Sequence, residues 1–271
     1  MQFRKLAICG ATVLTIVLSG DESSGLSTIS YAPIREVANS YTATNLPEMP
    51  YRSFVPGVAK EAPLVYSPEP APEIHEPREI SRGYPNGVAL TFDCGPWVER
   101  SYIERILSAL EGYRVTFFVT GIFIEKHPDI FKRIAENHDL ANHSYSHPHL
   151  LNLSDEEIRN ELRKAGEISS SFGYSLKPLW RAPFGERNDR IREIAAEEGY
   201  PVHVFWTRDS GDWRDISPEE VMNNVLRNAD NGYIIVQHCN SWQTAEVLPD
   251  IITGLENIGL EITTVSRVIT P

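Results

Sequence analysis

Two histidines four positions apart, His143 and His147, bracket Ser144-Tyr145-Ser146. On a helical turn residues i and i+4 share a face, which suits two imidazole nitrogens converging on one divalent ion. An isolated pair is as well explained by two surface side chains. Its company carries the weight: Asp93-Cys94 upstream, Arg181 and Asp212 between, and His238 near the far end, each just past a segment that reads as a strand. Metal-assisted hydrolysis needs an ion to polarise a carbonyl, a base to take a proton from water and an acid for the leaving group. His143 and His147 are the candidates for the ion, Asp93 for the base and His238 for the acid. Arg181 could hold Asp93 ionised, and Asp212 could fix the tautomer of His238. Singly, each has an ordinary structural explanation, since Arg–Asp pairs and strand-end histidines are mostly architectural.

The elements that must position these residues alternate. Apolar runs rich in strand formers occupy 87–93, 114–120, 139–143, 179–181, 202–206, 233–238 and 261–265. Between them lie helical periodicities at 101–111, 128–137, 154–171, 189–198, 217 onward and 244–257. Ser154 followed by Glu157 has the form of a capping box, and Ser217-Pro218 supplies an N-cap with a first-turn proline. Strands alternating with helices predict parallel strands joined by helical crossovers, and polar residues gather at the strands' C-terminal ends, the rim where a βα barrel does its chemistry. The expectation is an α/β fold: a distorted or incomplete (β/α) barrel of about seven parallel strands over residues 83–271. A doubly wound open sheet is the alternative.

The formal net charge of −12 over 271 residues excludes nucleic acid and an anionic membrane surface as natural partners. Residues 1–20 read as a secretion signal, with Arg4 and Lys5 ahead of an apolar run from Leu6 to Leu18. That run is shorter than the ~20 residues a spanning helix needs; left uncleaved it would act as a membrane tether. Residues 21–82 show no sustained hydrophobic period and hold Ser67-Pro68-Glu69-Pro70-Ala71-Pro72, so they read as a Pro-rich, largely disordered linker. A secreted or envelope-located monomer is expected. Loss of the signal would remove Cys9 and leave Cys94 and Cys239 as a pair in an oxidising compartment.

Thr91-Phe-Asp-Cys-Gly-Pro96, Asn142-His-Ser-Tyr-Ser-His-Pro148, Arg181-Ala-Pro-Phe184, Asp209-Ser-Gly-Asp-Trp213 and Ile235-Val-Gln-His238 resemble, in order, the five motifs of the polysaccharide deacetylase (NodB-homology) family. The resemblance covers about Gly83 to the C-terminus. It implies a distorted (β/α) barrel that removes N- or O-linked acetyl groups from a polysaccharide such as peptidoglycan, chitin or xylan. It implies Asp93 as base, His143 and His147 as metal ligands, Arg181 as the residue tuning Asp93, and Asp212 as the residue tuning His238, the acid. The Phe184 backbone N–H would donate to the oxyanion, Trp213 would wall the acetyl pocket, and Val236 would stand opposite where leucine is usual.

The sequence departs from that pattern at Cys94, where the family's third metal ligand is an Asp, and at Cys239, where an Asp is also common. Three outcomes follow. Cys94 could be a thiolate in a Cys-His-His site, which favours Zn2+. Cys94 and Cys239 could form a disulfide across the rim, leaving two histidines for the ion. Or the metal could be lost and the fold kept as a glycan-binding module. The sequence therefore predicts a zinc-dependent deacetylase; the alternatives are a silent glycan-binding relative and a metal-free hydrolase of amide-like rings.

Overall fold

The computed structural model describes residues 76–271. The expected secretion signal and most of the expected linker lie outside the described residues. Nine strands and eight α-helices follow one another: β1 (Arg78–Ile80), β2 (Val88–Cys94), α1 (Arg100–Ala109), β3 (Thr116–Val119), α2 (Gly121–Lys126), α3 (Pro128–Asn137), β4 (Asp139–Asn142), α4 (Asp155–Ser171), β5 (Leu179–Trp180), α5 (Asp189–Glu197), β6 (Val202–Val204), β7 (Arg208–Asp209), α6 (Pro218–Leu226), β8 (Ile234–His238), α7 (Trp242–Asn257), β9 (Ile262–Thr263) and α8 (Val265–Val268).

Every ladder is parallel, in the order β1-β6-β5-β4-β3-β2-β8-β7, with β9 added to the start of β2. Among the described residues no ladder joins β1 to β7, so the barrel is incomplete. An antiparallel bridge from Arg82 to Tyr233 and the Thr207 hydroxyl donating to the Ser81 carbonyl span that seam. The open-sheet alternative is thereby set aside. Two strands go beyond the expected seven, β1 and β7, and both are too short to show a period. The expected linker also ends too late, because Arg78–Ile80 pairs with Val202–Val204 and Glu79 accepts from Arg187 and Arg192.

The pleat sorts side chains into two layers. On β2, Val88, Leu90, Phe92 and Cys94 pack outward under the helices with Ile103, Ile106 and Leu248. Ala89 belongs to the inner cluster with Phe118, Ala141, Val202, Val204, Ile234 and, from α8, Val265 and Val268. The helices are held at their starts as the sequence leads one to expect. Ser154 with Glu157, and Ser217 with Glu220, form reciprocal capping boxes at α4 and α6, each side-chain cap worth about 1 kcal/mol. No helix among the described residues is long and apolar enough to cross a membrane.

Candidate active site

Six residues singled out from sequence meet at one pocket, or directly behind it, at the C-terminal rim. A cavity of about 410 Å³ is lined by Asp93, His143, His147 and His238. Arg181 and Asp212 stand behind Asp93 and His238 as hydrogen-bond partners. Phe184, Trp213 and Val236 line the same cavity.

Asp93 and His238 are register partners at the ends of adjacent strands β2 and β8. Arg181, fully buried, donates from Nη1 to Asp93 Oδ1 at 2.7 Å and to the Thr91 hydroxyl at 2.8 Å. Its remaining donors reach the Val204 and Phe205 carbonyls at 3.0 and 3.3 Å. Burial pushes the Asp93 carboxyl up, but the Arg181 guanidinium, aided by His143 and His238, outweighs it and holds the group below its ordinary value. The working carboxylate is thus ionised with one oxygen committed and Oδ2 open, 3.7 Å from His143 Nε2.

His238 is arranged the other way round. Asp212 accepts from His238 Nδ1 at 2.7 Å, from the His238 backbone N–H at 2.8 Å and from the Thr244 hydroxyl at 2.5 Å. Burial lowers the imidazole pKa, yet the attraction and hydrogen bond of Asp212, with Asp93 and Asp209 behind them, raise it to about 9. With Nδ1 occupied, Nε2 is the proton-bearing atom left to face the pocket.

His143 and His147 follow β4 on a loop in which Ser144 (φ 66°) and His147 (φ 62°) take the left-handed conformation, costly for residues other than glycine. Glu161 from α4 holds it, accepting from the Tyr145 N–H (3.0 Å), the Ser146 N–H (2.8 Å) and the Ser146 hydroxyl (2.8 Å). His143 Nδ1 donates to the Arg181 carbonyl at 2.9 Å, which leaves Nε2 with the lone pair. Burial pushes both imidazoles below the ordinary range, His147 to about 3. The two rings lie 4.9 Å apart, centroid to centroid.

Phe184 sits at φ 59°, ψ 10° in a tight turn, and its N–H meets no acceptor among the described residues. Its ring stacks on His149 at 4.0 Å, and His149 Nδ1 pairs with Glu186 at 2.7 Å. Gly185 must be glycine: φ is +67° and a Cβ would meet Trp206 at 2.7 Å. Trp213 is 60% exposed, its indole N–H directed at Asp209. Val236 is buried at the cavity wall. Asp209, in the fourth motif, also lines the cavity; Trp206, which lines it too, and Glu186, which pairs with His149, were not singled out from the sequence.

Cys94 requires a correction. It is joined by a disulfide to Cys239, their Cα atoms 5.0 Å apart, so it is no thiolate. It also packs in the outer layer with Phe92, on the opposite face of β2 from Asp93. The expected Cys-His-His donor set is therefore absent, and no group of three His, Cys, Asp or Glu poised for a metal occurs among the described residues. A zinc ion would find two imidazoles where a catalytic zinc site keeps three protein ligands. The residues present do not fit that group.

At the rim of an irregular parallel barrel, a buried carboxylate and a partly buried imidazole, each paired with an opposite charge, border one open pocket, an arrangement suited to hydrolysis. The family model described as polysaccharide deacetylase matches residues 82–203. A peptidoglycan-N-acetylglucosamine deacetylase of Bacillus cereus is 41% identical over 155 residues, 56% of this chain and 55% of that protein. A second protein of the same name and organism is 30% identical over 190 residues, 67% of this chain and 87% of its own length. Among solved structures, the wild-type BA3943, a CE4 family pseudoenzyme from Bacillus anthracis, superposes with a TM-score of 0.66 at 29% identity, covering 72% of this chain and 70% of that one. The chain belongs to the polysaccharide deacetylase family.

Proposed function

We propose that the barrel hydrolyses acetyl groups of an acetylated polysaccharide at the cell envelope or outside the cell. The observation that carries this reading is the pairing of opposite ionised groups on adjacent strand tips: Asp93 held anionic by Arg181, and His238 held cationic by Asp212, on one pocket. The names of the Bacillus relatives support N-acetylated glycan as the substrate class. In this reading Asp93 Oδ2 takes a proton from water as the water oxygen attacks the acetyl carbonyl. The Phe184 N–H receives the oxyanion. His238 Nε2 then protonates the sugar nitrogen as the C–N bond breaks, and acetate and a free amine leave. Proton transfer from Asp93 to His238 through solvent resets the pair. Trp213 and Val236 would wall the acetyl group, and the exposed Trp97 offers a face to a sugar ring.

The test is acetate release from N-acetylglucosamine oligomers, peptidoglycan and acetylated xylan by the whole chain. Asp93→Asn and His238→Ala should each lower kcat/KM by about 10²–10⁴-fold, the range of general acid–base contributions. A catalytically silent, glycan-binding role is the second reading, favoured by the pseudoenzyme among the similar structures. It predicts saccharide binding that both substitutions leave intact, with no acetate released by any form.

A further inference from the structure

We infer that the Cys94–Cys239 disulfide withdraws the third donor a metal site at this rim would need, ties together the strands that carry the base and the acid, and leaves a native pocket that works without a stoichiometric divalent cation. The β2–β8 ladder runs in register to Asp93 and His238. One residue further, the Cys239 N–H donates to the Asp93 carbonyl at 3.0 Å and the two cysteines are covalently joined. The Cys94 carbonyl is itself fixed by the Thr120 N–H at 3.1 Å and hydroxyl at 3.2 Å. Each reacting side chain is therefore one residue from a cross-link that no solvent reaches, both cysteines being fully buried. An ion held by His143 and His147 would act on the loop after β4, whereas the disulfide fixes β2 to β8.

The donors for such an ion have been spent elsewhere. Both sulfurs lie in the bond and on the outer face, packed with Phe92 and Ile235. Asp93 Oδ1 is taken by Arg181; giving Oδ2 to an ion would remove the base. The ionised groups already pair off, Asp93 with Arg181 and Asp212 with His238, each at 2.7 Å. A dication placed among them would meet the Arg181 guanidinium and find both carboxylates already paired. Two imidazoles alone are a poor site for zinc, which in proteins is held by three or four protein ligands.

The metal half of this inference rests on the donor set, whereas its catalytic half rests on the deacetylase reading, so the two are measured apart. The whole chain is purified without reductant, the Cys94–Cys239 link verified by peptide mapping, bound metal quantified by elemental mass spectrometry and Zn2+ affinity measured by titration. The wild type should hold no stoichiometric metal. Cys94→Ala with Cys239→Ala, which breaks the link and supplies no new donor, should hold no more zinc than the wild type. One tightly held zinc per disulfide-intact chain would overturn the proposal, whatever the variant does. On the catalytic side, acetate release by the wild type should survive exhaustive chelation. Cys94→Ala with Cys239→Ala should lower kcat at unchanged KM, with no rescue by zinc. Activity lost on chelation and restored by zinc counts against the inference. If the wild type releases no acetate at all, the deacetylase reading falls while the metal measurement still decides the other half.

Discussion

The two sides of the pocket carry the same side chain, partly buried at His238 and His147 and buried at His143, and shift its proton affinity in opposite directions. His238 carries a carboxylate at 2.7 Å and is raised to about 9. His147, on the facing loop, has no hydrogen-bonded carboxylate among the described residues, where its Nδ1 meets no partner, and falls to about 3. His143 is lowered as well, chiefly by burial, because its nearest carboxylate, Asp93 at 3.7 Å, is already engaged by Arg181. Burial alone disfavours an imidazolium, and a single well-placed carboxylate reverses the sign. One wall of the site is thus a proton donor near neutral pH, and the other is a pair of neutral rings, although both are built from histidine.

Arg181 keeps these two regimes apart, so its loss has the largest expected effect. Arg181→Met leaves Asp93 buried without its cation and the Val204 and Phe205 carbonyls without a donor. Breaking one partner of a buried pair costs about 3–5 kcal/mol. Thermal unfolding should show a fall in Tm of roughly 10 °C or more, and in protein that still folds Asp93 should turn toward His143 and raise that imidazole's pKa, visible in its NMR titration. An unchanged titration of His143 would mean that Arg181 does not insulate it.

Asp212→Asn acts on the other wall. Removing the anion takes away the main attraction that lifts His238 to about 9, so at neutral pH the ring would largely lose its proton. Acetate release near pH 7 should fall on the order of 10²-fold, as for loss of a general acid. The alkaline limb of the kcat/KM profile should move to lower pH, with partial recovery on the acid side. A uniform loss at every pH would place Asp212 in folding instead of in proton supply.

Much of this arrangement was legible in the chain. The seven apolar runs all hold strands, β5 and β9 of only two residues each, because a buried parallel strand needs little more than a short β-branched stretch between punctuating loops. β1 and β7, three and two residues long, hold their place through partners remote in sequence and left no period to detect. The ordered polar residues at the strand ends reached one pocket because parallel strands deliver all their C-termini to one rim. Cys94 was misplaced as a metal ligand although its position carried the warning: on a pleated strand, adjacent residues point to opposite faces, and Asp93 claimed the inner one. Glu161, sixteen residues from Tyr145 on a different element, could not have been assigned to the histidine loop from sequence, since its role exists only once α4 has docked.

That role gives a smaller, sharper test of the neutral wall. Glu161→Ala strips acceptors from two backbone N–H groups in a loop already holding two left-handed residues. An unsatisfied buried donor costs about 1–3 kcal/mol, so loop opening should appear as faster amide hydrogen exchange at Tyr145 and Ser146. Glu161→Gln keeps one carbonyl oxygen for both N–H groups and should restore most of the protection. Equal exchange in both variants would show that the negative charge matters, not the acceptor geometry.

The mildest test isolates burial from catalysis altogether. His138 is a buried imidazole away from the pocket, with Nδ1 lacking a partner among the described residues and its ring 5.0 Å from Phe117. Burial lowers it to about 4, with Arg114 adding to the effect and Asp139 opposing it. Because the folded value lies below the unfolded one, ~6.5, the unfolded chain takes up the proton first as pH falls. The stabilisation from holding a neutral ring is complete above about pH 6.5 and is lost progressively toward pH 4, on the order of 2 kcal/mol by pH 5 for this group. His138→Phe keeps an aromatic ring against Phe117 and has no proton to gain, so its Tm at pH 7 should lie near that of the wild type while its drop between pH 7 and 5 is smaller by roughly 4–8 °C. An identical acid slope in both proteins would mean that His138 is hydrated in the fold, and that burial by itself does not set the charge of the unpaired imidazoles here.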